Sequence, residues 1–296
     1  MDDSNFCSDS STLNMFLGNE YAATDLKDAD VVIIPTPIEF STSYGKGTQN
    51  GPAAILNASS YVEIYDEEID YEAWKCGIFT TTPVEQTENQ AANIKAVQNA
   101  VAEHLEKNKF VIVLGGEHSI SSGVFRAFSE KYKDISILQL DAHADLRNSY
   151  ENSGYSHACV MRRIYEFNKN IVQVGIRSLD IEEKRFISEK KINTFFAHEI
   201  RRTGFDRNIF NLLTDNVFIT IDVDFFDPSI MPSTGTPEPG GFLWYETLAF
   251  LKEIFKRKNV VGFDVVELSP VTNIVHPDFL TAKLIYKLVG YRQLGR

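Results

Sequence analysis

Cysteine is scarce in this 296-residue chain: Cys7, Cys76 and Cys159 are an odd set with no close pairing. A disulfide framework is excluded, and such sparing use of thiols suits a reducing cytoplasm. Long apolar runs are missing as well. The longest, such as residues 110–114, stop far short of the ~20 residues needed to cross a bilayer, so no membrane partner is expected. The acidic start Met1-Asp2-Asp3-Ser4 lacks a basic segment followed by an apolar one, and no export signal is expected. Linkers, low-complexity tracts and internal repeats are absent too. Positive charge is in the minority, with 29 Lys and Arg against 41 Asp and Glu, net −12. Nucleic-acid binders usually carry a basic stripe, so that class of partner is excluded. The same charge attracts cationic ligands at long range, although solubility alone also explains it.

What is present is ordinary globular composition, 43% hydrophobic, 24% charged and 12% aromatic. A chain of this length can bury roughly three quarters of its unfolded surface. Near-continuous apolar runs at 30–35, 110–114, 135–140, 171–175, 217–221 and 260–263 read as strands covered on both faces. Helical patterns lie between them. Thr87-Glu88-Asn89-Gln90 reads as a capping box ahead of Ile94, Val97, Val101 and Leu105. Helices are also expected over 244–256 and 277–291. This alternation predicts an α/β fold, a three-layer α/β/α sandwich with a mostly parallel central sheet, over residues 31–296 as one domain. Residues 1–30 read as an N-terminal extension. In such folds ligands sit beyond the carboxyl ends of the strands.

The chemistry-bearing residues stand at those ends. His118 lies in Gly115-Gly116-Glu117-His118-Ser119, His143 in Asp141-Ala142-His143-Ala144-Asp145, and Asp222-Val223-Asp224 closes a third run. Alternate residues of an extended chain point the same way, so Asp141, His143 and Asp145 are expected on one side, as are Asp222 and Asp224. Four carboxylates gathered on a buried sheet repel one another unless cations hold them. Two divalent ions match their charge, with His118 and His143 as neutral ligands. A set rich in oxygen fits Mn²⁺ better than Zn²⁺. A lone Asp after a strand is usually a turn residue, and the case rests on three such segments converging.

With these segments, the chain resembles the ureohydrolase superfamily of arginases and agmatinases. Ser156-His157-Ala158, Ser233-Thr234-Gly235-Thr236-Pro237-Glu238-Pro239-Gly240-Gly241 and Phe263-Asp264-Val265-Val266-Glu267-Leu268-Ser269-Pro270 extend the match, which runs from about Pro35 to the C-terminus. The resemblance implies an arginase-like sandwich and two Mn²⁺ per subunit, hydrolysing a guanidino group to an amine and urea. It implies His118 and Asp145 on one metal, His143 and Asp224 on the other, and Asp141 and Asp222 bridging both. It also places His157 as proton shuttle and Glu267 as the carboxylate that orients the substrate, and it implies a homo-oligomer, trimer or hexamer. The physical need is plain: a guanidinium is delocalised and a poor electrophile. Its attack requires hydroxide, which metal coordination supplies by lowering the pKa of water. A carboxylate such as Glu267 can accept two parallel N–H bonds from the planar cation.

Substrate choice is read from Arg147, where arginases carry an asparagine that helps hold the α-carboxylate. Arg147-Asn148-Ser149-Tyr150-Glu151 resembles bacterial and archaeal agmatinases instead. The small cationic partner expected is agmatine, giving putrescine in polyamine biosynthesis. Arginase, guanidinobutyrase, aminopropylagmatine ureohydrolase and guanidinase activities are the alternatives, along with a non-catalytic metal-binding homologue or a zinc deacetylase. Arg147 and Asp180 are candidate substrate-binding residues, Asp180 for the distal amine or equally as a helix N-cap. His104 is expected on the solvated face of its helix.

Overall fold

Apolar runs with both faces covered become strands, and each of the six expected runs coincides with one, the first starting at Val31 rather than at residue 30. The computed structural model describes residues 14–295, so Cys7 and the acidic start of the chain lie outside the described residues. The strands are β1 (Val31–Thr36), β2 (Ile78–Thr80), β3 (Phe110–Gly115), β4 (Ile135–Leu140), β5 (Ile171–Ile176), β6 (Asn193–Phe196), β7 (Asn216–Asp222) and β8 (Asn259–Val266). They form one sheet in the order β2-β1-β3-β8-β7-β4-β5-β6, with every pairing parallel. The two strands not foreseen, β2 and β6, are its edges. One has three residues and the other is only half-buried throughout, so neither carries a continuous apolar run.

Period-2 alternation sends successive strand residues to opposite faces. Ile33, Ile112 and Leu114 pack on one side against helices Gly51–Ser59, Ala197–Thr203, Trp244–Arg257 and His276–Tyr291. Val32, Val111 and Val113 pack on the other against helices Gln90–Glu106, Ser121–Lys131, Val160–Phe167 and Ile181–Lys190. Three layers result, as the strand–helix alternation predicts. Phe16 and Leu17, within the stretch read as an extension, are buried in the first of these cores.

Three local expectations change. The helix Gln90–Glu106 is capped by Asn89, whose side chain accepts from Ala92 N at 2.9 Å, not by Thr87. Thr87 is occupied elsewhere, because its amide and hydroxyl both donate to Asn93 Oδ1 at 2.8 Å. His104, on the same helix, is buried rather than solvated, and that burial pushes its pKa down. The last helix begins one residue early, at His276. Among the described residues no helix is long and apolar enough to cross a membrane.

Strand order is what positions the chemistry. β3, β8, β7 and β4 are consecutive neighbours in the middle of the sheet. Their carboxyl ends lead directly into Glu117-His118, Glu267, Asp222-Val223-Asp224 and Asp141-Ala142-His143.

Candidate active site

Each ligand-type side chain owes its place to how its strand ends. β3 runs into Gly115-Gly116, where the loop after β1 comes so close that a Cβ on Gly116 would lie 2.1 Å from Ile38 O. Only glycine fits that approach. His118 then opens a short 3-10 turn, buried, with Nε2 2.9 Å from Thr220 Oγ1 on β7. That contact orients the ring and leaves Nδ1 toward the carboxylates.

Strand alternation does not by itself gather the aspartates. Asp145 has φ of 53°, so the segment after β4 is a loop rather than an extended strand. It is held by Ala142 O, which accepts from Arg177 N at 2.8 Å and Ser178 N at 2.9 Å. Likewise β7 ends at Asp222, and Asp224 lies in a 3-10 turn whose first amide bond is Asp224 N to Asp222 Oδ1 at 2.9 Å. Glu267 has φ of 66°, another non-glycine residue in the left-handed region. Such conformations persist only where surrounding structure holds them, and they cluster at functional sites.

The result is a tight cluster. His118 Nδ1 lies 3.1 Å from Asp141 Oδ2, 3.1 Å from Asp145 Oδ2 and 3.4 Å from Asp222 Oδ2. His143 Nδ1 lies 2.8 Å from Asp224 Oδ2 and 3.7 Å from Asp141 Oδ1. Among the described residues, two groups have ligand atoms close enough to share a cation: His118, Asp141 and Asp145, and then Asp141, His143 and Asp224. Asp141 belongs to both. Asp222 reaches the first group through His118. The donor set fits hard or borderline divalent cations. Buried His118 Nδ1 faces three carboxylate oxygens without one aligned hydrogen bond, as expected of groups arranged around a cation.

Electrostatics point the same way. Burial and the Asp141 carboxylate raise Asp145 to about 7. Burial, with Asp224 and Asp141, raises Asp222 well above the usual carboxylate range. Burial opposes ionisation of Asp141 too, but His118 and His143 hold its carboxyl below the usual range. Burial lowers both histidines, yet the carboxylates win: His118 is held well above its ordinary value and His143 is pushed up to about 12. Crowded acids thus take up protons where cations would otherwise sit. Affinity for a divalent cation is therefore expected to rise with pH. Cation binding needs the carboxylates ionised and both histidines neutral, so protons compete with the cation, at Asp145 below a pH of about 7 and at the raised histidines to higher pH. Calorimetric titration of the metal-free protein with Mn²⁺ at about pH 6 and about pH 9 checks this, and equal affinities would contradict it.

Glu267 is buried beside the cluster, with Oε1 accepting His118 N at 2.6 Å. Burial, with Glu117 nearby, raises its pKa well above the ordinary value. It shares one cavity lining with His143, Asp145, His157, Asp222 and Asp224. A neighbouring cavity of about 190 Å³ shares His143, Asp145 and His157 and extends past Tyr150, Leu179 and Thr236. A larger cleft, about 370 Å³, opens at the amino ends of β3 and β8 and has no histidine or carboxylate in its lining.

Asp180 and Arg147, the two candidate substrate contacts, are paired with each other. Asp180 is the N-cap of helix Ile181–Lys190, with Oδ1 accepting the amides of Glu182 and Glu183. Its other oxygen lies 2.6 Å from Arg147 Nη1, so the two charges neutralise each other. Arg147 lines the 190 Å³ cavity and lies over the Tyr150 ring, whereas Asp180 lines an adjoining cleft. Sequence reasoning also passed over Arg177, whose guanidinium clamps the carbonyls of Asp224 at 2.6 Å and Glu238 at 2.9 Å. Its position just past β5 was the available signal. Glu117 and Ser41 were passed over as well.

The family model described as "Arginase family" matches residues 29–290. An N(1)-aminopropylagmatine ureohydrolase of Synechocystis sp. is 42% identical over 93% of both chains. An agmatinase of Pyrococcus horikoshii is 34% identical over 92% of this chain and 95% of its own. The crystal structure of the agmatine ureohydrolase of Thermoplasma volcanium superposes with a TM-score of 0.88 at 29% identity, covering 96% of this chain and 95% of that one.

Proposed function

The chain belongs to the arginase family and is a ureohydrolase, and from that premise we propose that it is a binuclear manganese enzyme acting on an amine-ended guanidine. Agmatine, or its longer N(1)-aminopropyl relative, is split into urea and the matching polyamine. In this reading His118 and Asp145 hold one cation, His143 and Asp224 the other, and Asp141 and Asp222 serve both. Bound there, the cations supply Lewis acidity that makes water a nucleophile near neutral pH.

The chain's own residues do the rest. Glu267, buried and anchored by His118 N, presents a carboxylate against which a planar guanidinium can align. His157 takes a proton and returns it to the leaving amine. Burial lowers its pKa against the opposing pull of the Glu117 carboxylate, which favours a neutral ring able to accept that proton. His157→Ala is expected to lower kcat ~10²–10⁴-fold while bound metal is unchanged. Turnover equal to wild type would remove His157 from the reaction.

The observation that carries the amine-ended tail is the Arg147–Asp180 ion pair. An arginine already neutralised is poorly placed to balance an α-carboxylate. The Synechocystis relative, named for the longer substrate, supports extending the tail beyond agmatine. The expected cytoplasmic setting belongs to the same reading and rests on the sparing use of cysteine, three in 296 residues. The expected trimer or hexamer belongs to the same reading and is checked by mass in solution. Urea release with added manganese, measured on agmatine, aminopropylagmatine, guanidinobutyrate, guanidine and arginine, tests the whole. Urea from none of them overturns it.

A further inference from the structure

Glu117 stands next to His118 yet outside the ligand cluster, and it is completely buried. The loops after β1 and β3 meet at this point, with Gly116 N donating to Thr36 O and Glu117 N to Ile38 O, each at 2.9 Å. This brings residues 40 and 41 onto the Glu117 carboxylate. Oε2 accepts the amides of Phe40 at 2.6 Å and Ser41 at 2.5 Å. Oε1 faces the hydroxyl of Ser41 at 3.0 Å and that of Ser119. A carboxylate offers only acceptors, so both hydroxyls donate to it.

That assignment settles the next link. Ser41 has one hydroxyl proton, and it points at Glu117. Ser41 Oγ therefore has only lone pairs left for its other neighbours, which are His157 N at 2.9 Å and His157 Nδ1 at 3.2 Å. An acceptor opposite Nδ1 requires the ring proton on Nδ1. Ser156 Oγ, also near this nitrogen, is farther at 3.4 Å. Tyr150 meets the ring edge to face, centroids 6.1 Å apart, and limits its tilt. The neutral ring is left with its lone pair on Nε2.

We infer that Glu117 and Ser41 are positioning residues that hold His157 as the Nδ1–H tautomer, with Nε2 free for the reacting proton. The inference rests on the reading of His157 as proton shuttle. The proton balance closes within the ring. Nε2 accepts a proton from the attacking water, Nδ1 keeps its bond to Ser41, and Nε2 gives the proton to the leaving nitrogen as its bond to carbon breaks. The negative charge of Glu117, passed through the Ser41 dipole, favours the transient imidazolium, as a buried carboxylate does directly in serine hydrolases. No local pattern announces the relay, because Ser41 and Glu117 are 76 residues apart and Ser41 and His157 are 116 apart.

The test combines kinetics with a readout of the tautomer itself. Ser41→Ala is expected to lower kcat ~10–100-fold, with KM and manganese content within about twofold of wild type. Ser41→Thr keeps the hydroxyl and restores kcat. In a His157→Ala background, Ser41→Ala should have no further effect, because its influence passes through that ring. Independently of any substrate, ¹⁵N–¹H spectra of the full metal-free chain should show one histidine protonated on Nδ1 that disappears in His157→Ala and loses this tautomer in Ser41→Ala. A proton on Nε2 of His157 in the wild-type spectrum overturns the relay, as does a Ser41→Ala loss of equal size with and without His157. Failure of every guanidine to yield urea overturns the functional reading instead and leaves the spectrum to judge the relay.

Discussion

Asp141→Ala is expected to purify with neither metal bound and to release no measurable urea. Asp141 is fully buried, it is common to both groups able to hold a cation, and its two oxygens face His118 and His143 separately. Its orientation is set by neighbours, since Oδ1 accepts His143 N at 2.5 Å and Oδ2 accepts Gln139 Nε2 at 2.8 Å. Removing it would leave the two proposed cations sharing one fewer negative charge among largely buried side chains. The effect should exceed the ~10–100-fold cost of losing an outer hydrogen-bond partner to a ligand. Asp141→Asn keeps the shape and hydrogen bonds and should lose metal nearly as completely, which separates charge from packing. Elemental analysis of the purified variants decides: two metals retained in Asp141→Ala would refute the ligand assignment, and loss from one position only would remove the bridging role.

The second large effect is on substrate choice. On one manganese-loaded preparation, kcat/KM for agmatine and aminopropylagmatine should exceed that for arginine roughly a hundredfold. Arginine differs by an α-carboxylate, which on the proposed reading would settle in the cavity past Tyr150, Leu179 and Thr236. The cation nearest that path, Arg147, is already 2.6 Å from Asp180 and sits 3.9 Å from buried Glu183. Its charge is thus balanced before any substrate arrives. Desolvating a carboxylate without a dedicated partner costs several kcal/mol, and about 3 kcal/mol is enough for the ratio expected. Asp180→Ala offers a sharper form of the test, because it frees Arg147 and should narrow the gap between arginine and the amines, while weakening the helix cap by about 1 kcal/mol. Arginine turned over as efficiently as every amine-ended substrate would move the assignment to arginase.

Local pattern determined a good deal about this protein. Both-face burial wrote six strands as apolar runs, and the strand–helix alternation specified three layers around a parallel sheet. His118, Asp141, His143, Asp145, Asp222 and Asp224 were legible as a group because each stands just past such a run, where a parallel sheet puts its ligands. Asp180 was legible as an N-cap, since capping needs only its own helix. Tertiary structure decided what depends on distant partners. Strand order made β3, β8, β7 and β4 neighbours, and no local signal encodes which strands pair. Left-handed Asp145 and Glu267 aim their carboxylates in a way that strand alternation cannot predict, because packing rather than propensity holds those backbones. The edge strands β2 and β6 and the burial of His104 were set by what packs against them. The same is true of the neutralised Arg147 and the Glu117–Ser41–His157 contact, which join loops that only the fold brings together.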